Sequence, residues 1–313
     1  MHVGFRSWSA RAVRLLVLAS FFAGVIGFRG SAVTVGAVEC APPGPIDSLE
    51  STPSAAATPI TANTKATPVS ARDQLKAGLT NLVQVVSACR SSGDFETMSS
   101  LVTEKYLGQV YGGGPRMSRG TFLAIADSLP IPNVRFRGFD DLSVIGPGEA
   151  RANVLLIVGN QLLFQRLTFI EEPNRPGHWM IDSVEPLRVN APRDHANVRV
   201  TVTGNRYSPD ALTADNRKVN IHVSNSDTED HELLVLKLAD GVTTSALLTS
   251  EGPAFPDGVT YLGQVTIPAR GSGRMVLVGL KPGTYAIVDL LPSDNGVPHL
   301  AVGMSATLTI TAQ

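Results

Sequence analysis

Few residues of this chain could bind a metal or act as a nucleophile, because it has only six histidines and two cysteines. Cys40 and Cys89 both lie in its first third. The G-x-S-x-G pattern of hydrolases, the P-loop, the H-E-x-x-H zinc motif and the dinucleotide-binding glycine pattern are all absent from the sequence. The run Gly112–Gly114 is not followed by Lys and Ser or Thr, so we interpret it as a hinge and not as a phosphate cradle.

The last third of the chain contains polar residues and turns in a characteristic order: Tyr207-Ser208-Pro209, Val219 to Asn225, His231, Pro282-Gly283-Thr284-Tyr285, His299 and Met304. Asn225 stands six residues before His231, and His299 stands five residues before Met304. In these pieces and their order, residues 197–313 resemble the cupredoxins. That resemblance implies a β-sandwich in which two histidines, a cysteine and an axial methionine hold a copper ion.

The residue at the cysteine position of this pattern is an aspartate. Cupredoxins place their cysteine four residues after the tyrosine, where this chain has Asp289. Blue copper depends on a short copper–thiolate bond, so a carboxylate there removes the charge-transfer absorption and favours Cu(II) over Cu(I). The nine residues between Asp289 and His299 also exceed the usual spacing of the family. The sequence therefore argues against an electron-transfer role.

Two interpretations of the remaining residues stay open. In the first, the resemblance implies a metal site made of His231, Asp289, His299 and Met304, and two imidazoles with a carboxylate suit Cu(II) or Zn(II). In the second, the fold has outlived its copper site, the histidines form hydrogen bonds at strand ends, and Met304 packs into the core. We favour the second interpretation and expect no cofactor, with copper as the alternative.

The middle of the chain has the patterns of helices followed by strands. Ser70 and Asp73 form a pair that resembles a capping box, and apolar residues then recur at helical spacing up to Cys89. A second helix follows Gly93, and Ser118 can cap a third. Four strands are predicted after them, at residues 134–145, 150–158, 162–170 and 178–187, with a hairpin at Gly159-Asn160.

Three helices followed by four antiparallel strands over residues 72–188 resemble the nuclear transport factor 2-like fold, which is also that of ketosteroid isomerase. The supporting residues are Asp94-Phe95, Leu162 to Leu167 and Trp179-Met180-Ile181. The resemblance implies a curved sheet wrapped around a helix, as a cone with one apolar pocket. Some proteins with this fold are isomerases or dehydratases, and the acid–base candidates here would be Tyr106, Asp127, Asp140, Asp141 and His178. None of them forms a spaced signature, so we interpret each as a solvated polar residue.

From Val198 onward, short strands with alternating valines and turns rich in Gly, Asn, Asp and Pro predict an all-β sandwich. The predicted fold class is therefore an α+β cone, with three helices and a curved antiparallel sheet, followed by a Greek-key sandwich of cupredoxin type. The predicted domains are residues 72–188 and 197–313.

The first residues predict export. Three arginines precede an uncharged, mostly apolar run of 14 residues, and Val35-Gly36-Ala37 resembles a cleavage site. This run is shorter than the ~20 residues of a spanning helix. Residues 1–37 are therefore predicted to be a signal peptide of a secreted or cell-envelope protein, with no membrane span after cleavage. An uncleaved anchor and a lipid on Cys40 stay open as alternatives.

Residues 38–71 are rich in Pro, Ala, Ser and Thr, which predicts a disordered linker. If the compartment is oxidising, Cys40 at the start of this linker could pair with Cys89 on the first helix. Burial of Cys89 as a free thiol is the alternative that the sequence leaves open.

The charge balance excludes some classes of partner. Without residues 1–37 the chain has 22 basic and 27 acidic residues and no basic run, which argues against nucleic-acid binding. We favour an exported, non-enzymatic binding or interaction protein that recognises a small apolar ligand or another envelope protein. The alternatives are a copper-binding or copper-handling protein and a lyase or isomerase of the cone fold.

Overall fold

The structure is a computed structural model that describes residues 38–46, 70–112, 114–209, 211–249 and 255–311. The predicted signal peptide and most of the predicted linker lie outside these residues. Within the described ranges, no helix combines the length and the apolar character needed to cross a membrane.

The first helix, α1, spans Ala71–Ser92. It begins where predicted, because the Ser70 side chain accepts a hydrogen bond from the Asp73 N–H and satisfies one free donor of the first turn. It ends at Gly93, whose left-handed conformation (φ 77°) lets its N–H bond back to the Cys89 carbonyl. Its apolar face is buried by strands and neighbouring helices.

The second predicted helix is wrong in its extent, because the chain forms two short helices there: α2 (Phe95–Ser100) and α3 (Glu104–Leu107). Between them, Val102 forms a parallel bridge with Ile181, and the Thr103 N–H donates to the Ile181 carbonyl at 3.0 Å. Bonding to the sheet interrupts the helical pattern. A π-helical turn (Gly108–Gly112) continues α3, so four helices precede the sheet and not three.

The last of these helices, α4 (Arg119–Ala126), is capped by Ser118 as predicted. Four antiparallel strands follow: β1 (Val134–Gly146), β2 (Glu149–Val158), β3 (Gln161–Glu171) and β4 (Trp179–Leu187). Helices and strands share one apolar core, whose largest fully buried side chains include Phe122, Phe169, Met98, Leu107 and Ile181.

The rest of the chain is built of strands with two short helices, α5 (Ala246–Thr249) and a 3-10 helix (His299–Val302). The strands are β5 (Ala196–Val202), β6 (Tyr207–Ser208), β7 (Ala211–Ala214), β8 (Val219–Asn225), β9 (His231–Leu238), β10 (Val259–Ile267), β11 (Ser272–Leu277), β12 (Gly283–Val288) and β13 (Ser305–Ile310).

These strands form two mixed sheets. One has the order β10-β9-β12-β13-β7, and β8, β5 and β6 belong to the other, in which β11 pairs with β8. A buried apolar cluster contains side chains from both sheets, for example Val223 and Met275 from one and Leu233 and Ile287 from the other. The second half of the chain is therefore a sandwich whose core lies between two sheets.

The two halves are joined by a seam, defined here as the contact of β3 and its hairpin turn with β10 and β11. Leu277 of β11 pairs with Gln161, so β1 to β4 continue into the first sheet of the sandwich as one eight-stranded sheet. The backbones approach closely here, because a Cβ on Gly159 (φ 61°) would lie 2.8 Å from the Tyr261 carbonyl oxygen. The Gln161 side chain donates to the Gln264 carbonyl at 2.8 Å and accepts from the Gln264 N–H at 2.9 Å.

Residues 38–46 fall within the predicted linker, yet they pack against the helices. Cys40 forms a disulfide with Cys89, which resolves the choice that the sequence left open. The Ile46 N–H donates to the Gly177 carbonyl at 2.7 Å, and the Ile46 side chain is buried in the core of the first half. The disulfide and this buried side chain are the physical reason why the start of the segment is ordered.

Candidate metal centre

Three elements bring the predicted site residues to one end of the five-stranded sheet. β9 begins at His231, and the neighbouring antiparallel β12 ends at Val288, so Asp289 follows at the same end of the sheet. His299 begins the 3-10 helix, and the N–H of Leu300 in that helix donates to the Asp289 carbonyl at 2.7 Å. The loop between Asp289 and His299 therefore folds back onto its own start.

The side chains of His231, Asp289 and His299 meet at a single oxygen atom. Oδ2 of Asp289 lies 2.8 Å from Nδ1 of His231 and 3.0 Å from Nδ1 of His299. Because a carboxylate can only accept hydrogen bonds, both Nδ1 atoms donate. The two ring centroids are 4.5 Å apart, and all three residues are 0% exposed. We call these three residues the histidine–aspartate trio.

The Asp289 carboxyl is buried and hydrogen-bonded at once, with opposite effects on its pKa. Burial is the largest single effect and raises the pKa, but the hydrogen bonds from His231 and His299, together with the charge of His299, act against it. The Leu291 N–H, which donates to Oδ1 at 2.9 Å, lowers it further. The pKa of Asp289 therefore lies below its ordinary value, and the carboxylate is ionised at neutral pH.

A second carboxylate lies beyond each imidazole ring. Nε2 of His299 is hydrogen-bonded to Oε2 of Glu229 at 3.1 Å. Nε2 of His231 is 3.3 Å from Oδ2 of Asp227, which is ion-pair distance but without the direction of a hydrogen bond. Burial lowers the pKa of His299, but the hydrogen bonds and charges of Asp289 and Glu229 outweigh that effect and raise it.

A fourth carboxyl group, that of Glu232, is buried next to the trio. It accepts a hydrogen bond from the Leu290 N–H at 2.9 Å and another from the Gln264 side chain. Burial, followed by the nearby charge of Asp289, raises the pKa of Glu232 to about 7. Through Gln264, this carboxyl group connects the trio to the seam.

Three of the four predicted ligands are thus brought together, and the role of the fourth, Met304, as a ligand stays a prediction. Its side chain is fully buried in the apolar cluster between the sheets, and its backbone N–H donates to the His299 carbonyl at 3.0 Å. The packing of Met304 agrees with the second interpretation of the sequence, whereas the convergence of the other three residues agrees with the first.

The donor set of the trio fits a divalent transition metal. One ring nitrogen of His231, one carboxylate oxygen of Asp289 and one ring nitrogen of His299 can each serve as a ligand atom, and these atoms lie within 4.8 Å of one another. Two imidazole nitrogens and a carboxylate oxygen suit Cu(II) and Zn(II) and do not suit Cu(I). Both cysteines are held in the disulfide, so neither offers a thiolate.

Sequence reasoning missed Asp227, Glu229 and Glu232 as members of the site. A usable signal was present, since these three acids lie within four residues of His231 along the chain. A histidine preceded and followed by acids at a strand start is a pattern that favours carboxylate–imidazole contacts. Without the turn of the β8–β9 loop, however, the spacing alone does not say which acids reach a ring.

The acid–base candidates of the first half are not brought together. Asp127, Asp140 and Asp141 are exposed, whereas Tyr106 is buried in the core. The pairing of β1 with β2 shifts register between Asp140 and Ser143, as at a β-bulge. Among the described residues, no hydrogen bond joins Tyr106 to any of these carboxyl groups, so the arrangement required of a lyase or isomerase is not found there.

Comparisons with known proteins give partial likenesses. No protein-family model matches the chain, and no curated protein matches its sequence. Auracyanin B is 22% identical over 39% of this chain and 93% of its own, with a TM-score of 0.31. Auracyanin from Roseiflexus castenholzii is 16% identical over 37% of this chain and 97% of its own, with a TM-score of 0.29.

An NTF2-like family protein from Streptomyces avermitilis is 25% identical over 38% of this chain and 98% of its own, with a TM-score of 0.26. Each likeness covers less than half of this chain, so none of them supports a statement about activity. The predicted resemblances, to cupredoxins in the C-terminal region and to NTF2-like proteins in the middle region, are confirmed.

Proposed function

We propose that this protein is an exported, non-enzymatic metal-binding protein, and that His231, Asp289 and His299 hold a Cu(II) ion. The observation that carries the proposal is the contact of one Asp289 oxygen with both Nδ1 atoms, at 2.8 and 3.0 Å, in a site with no exposure to solvent. Imidazole nitrogens and carboxylate oxygens are ligands for divalent transition metals, and the fold already places them next to one another.

Energetics favour a functional reason for the trio over a purely structural one. Burying ionised groups is costly, and a buried ion pair or triad can often be replaced by apolar side chains with no loss of stability. A sandwich that needed only a packed core would therefore be at least as stable with apolar residues at His231, Asp289 and His299. The retention of three titratable side chains at 0% exposure supports a ligand-binding role.

Cu(II) is the ion we propose, because among divalent first-row metals it generally binds a given nitrogen and oxygen donor set most tightly. Bound copper would supply a Lewis-acidic cation, and the two imidazoles would face it through Nδ1 in place of the protons that these atoms now donate to Asp289. A site without a thiolate favours stable binding over reversible electron transfer. Copper handling outside the cytoplasm agrees with the predicted signal peptide. The predicted apolar ligand or envelope partner of the first half stays a prediction.

The test is a titration of the purified full-length mature chain with Cu(II), followed by calorimetry and by electron paramagnetic resonance. We expect one tight site whose spectrum shows nitrogen ligands and lacks the intense visible band of a copper–thiolate bond. Asp289→Asn and His231→Gln each remove one ligand and should abolish this site. His222→Gln is the matched control, because His222 is an exposed histidine on β8 of the same region.

Two results would overturn the proposal. One is a wild-type protein that binds Cu(II) no more tightly than Asp289→Asn does. The other is an equal loss of binding in His222→Gln and His231→Gln, which would assign the copper to surface histidines. The melting temperature of each metal-free variant, measured in parallel, shows whether it is folded.

A further inference from the structure

The loop that joins β8 to β9 carries the two outer carboxylates, and Asn225 holds it in shape. Oδ1 of Asn225 accepts a hydrogen bond from the Asp227 N–H at 2.8 Å, and its Nδ2 donates to the Glu229 carbonyl at 2.8 Å. The same Nδ2 donates to the Pro268 carbonyl at 3.0 Å, which ties the loop to the turn after β10. Asn225 itself is buried.

Two acids of this loop lie against the edges of the two imidazole rings that face away from Asp289. Glu229 reaches Nε2 of His299 at 3.1 Å, and Asp227 reaches Nε2 of His231 at 3.3 Å. The two carboxylates remain partly exposed, at 29% and 19% of the side chain, whereas both histidines have none. The outer edges of both imidazoles are thus covered by carboxylates and not by apolar side chains.

We infer that Glu229 and Asp227 are positioning residues of the metal site: Glu229 fixes the orientation and the tautomer of His299, and Asp227 fixes the orientation of His231. This inference rests on the proposed function. A neutral imidazole carries one ring proton, and a carboxylate beside Nε2 favours that proton at Nε2, which leaves the lone pair of Nδ1 for a metal. Carboxylates in this position also increase the basicity of the ligating nitrogen.

The two carboxylates do not contribute equally. Glu229 forms a hydrogen bond to His299, and its carboxylate has no other hydrogen-bond partner among the described residues. Asp227 also accepts from the N–H groups of Gly204 and Asn205, at 2.9 and 3.1 Å, and its contact with His231 lacks hydrogen-bond direction. Glu229 is therefore the stronger positioning residue, and Asp227 also anchors the backbone of the β5–β6 turn.

The experiment measures Cu(II) affinity and the paramagnetic resonance spectrum for Glu229→Leu, Glu229→Gln and Asp227→Asn in the full-length mature chain. Loss of an outer carboxylate on a ligating histidine typically weakens metal binding by roughly 10–100-fold, and we expect this for Glu229→Leu, with a changed copper hyperfine splitting. Glu229→Gln keeps an acceptor oxygen and should restore part of the affinity and of the splitting. Asp227→Asn should have a smaller effect.

Asp240→Leu is the matched control, because Asp240 is an exposed acid after β9 and its loss changes the net charge equally. It should bind Cu(II) as the wild type does. A Glu229→Leu variant with wild-type affinity and spectrum, or a loss of affinity that Asp240→Leu shares, overturns the inference and leaves the proposed function intact. A wild-type chain that binds no Cu(II) contradicts both. Melting temperatures of the metal-free proteins separate a folding defect from a positioning effect.

Discussion

The two halves of this molecule place their candidate site carboxylates in opposite environments. In the helix-and-sheet half, Asp127, Asp140 and Asp141 face solvent, and the space between helices and strands is filled by apolar and aromatic side chains. In the sandwich half, a histidine–aspartate trio and Glu232 are buried at one end of a sheet. Both halves have a packed apolar core, so core packing does not distinguish them.

This difference indicates which half of the molecule is the better candidate for a functional site. An exposed carboxylate costs a protein almost nothing, whereas a buried one has to be compensated by hydrogen bonds or opposite charge. Asp289 receives its compensation from two imidazoles, and those in turn from Asp227 and Glu229. Several residues must be correctly placed to form this alternation of carboxylates and imidazoles. It is therefore a stronger indication of a functional site than a single residue with a shifted pKa.

The largest contrast between the halves should come from removing one aspartate in each. Asp289→Ala leaves two buried imidazoles without their common acceptor, and breaking a buried pair of this kind typically costs roughly 3–5 kcal/mol of unfolding free energy. Asp140→Ala removes an exposed carboxylate and should change that free energy by less than about 0.5 kcal/mol. Urea unfolding of both metal-free variants measures the difference. Equal costs would mean that the trio contributes no more to stability than a surface acid.

The disulfide of the helix-and-sheet half should contribute to stability and not to metal binding. It closes a loop across a sequence separation of 49 residues, which in the chain-entropy model corresponds to about 4 kcal/mol of stability. A variant with both Cys40→Ala and Cys89→Ala should therefore unfold at lower denaturant concentration, while its Cu(II) affinity stays that of the wild type, since the trio lies in the other half. Loss of copper binding in a variant that circular dichroism shows to be folded would contradict this separation.

The sequence predicted much of the secondary structure, because local signals decide it. The capping serines Ser70 and Ser118, and the alternating valines of β5 and β8, predicted elements that the structure has. The strand β10 was missed, since a register shift between Tyr261 and Gly263 disturbs the alternation that marks a strand. The break between α2 and α3 was missed as well, because the bonds of Thr103 to the sheet are not local.

The residues of the candidate metal site were likewise only partly predictable from the sequence. The positions of His231, Asp289 and His299 along the chain predicted their convergence through the cupredoxin resemblance, which includes their long-range order. The acids clustered around His231 indicate carboxylate–imidazole contacts, but the particular partners of Glu229 and Glu232 depend on a loop conformation and on a strand pairing that the local sequence does not predict. The role of Met304 as a fourth ligand stays a prediction, because its side chain is buried in the sandwich core. Residues that follow from a family pattern were therefore predictable, and residues specific to this chain were not.

The smallest effect we predict concerns the seam between the two halves. Gln161→Leu removes two hydrogen bonds to the half-buried backbone of Gln264, at a cost of roughly 1–3 kcal/mol in unfolding free energy. Gln165→Leu, on the same strand, is the control. Its half-buried side chain forms no hydrogen bond to the described residues, so the substitution should cost less than about 0.5 kcal/mol.

The same pair of variants tests whether the seam also supports the metal site. Gln264 donates to the Glu232 carboxyl next to the trio, but the ligand atoms themselves are held by the β9 and β12 ends and by the 3-10 helix. Gln161→Leu should therefore lower stability in chemical denaturation and leave Cu(II) affinity unchanged. A parallel loss of both would show that the helix-and-sheet half holds the trio in place, and the contrast between a stabilising half and a metal-binding half would then have to be given up.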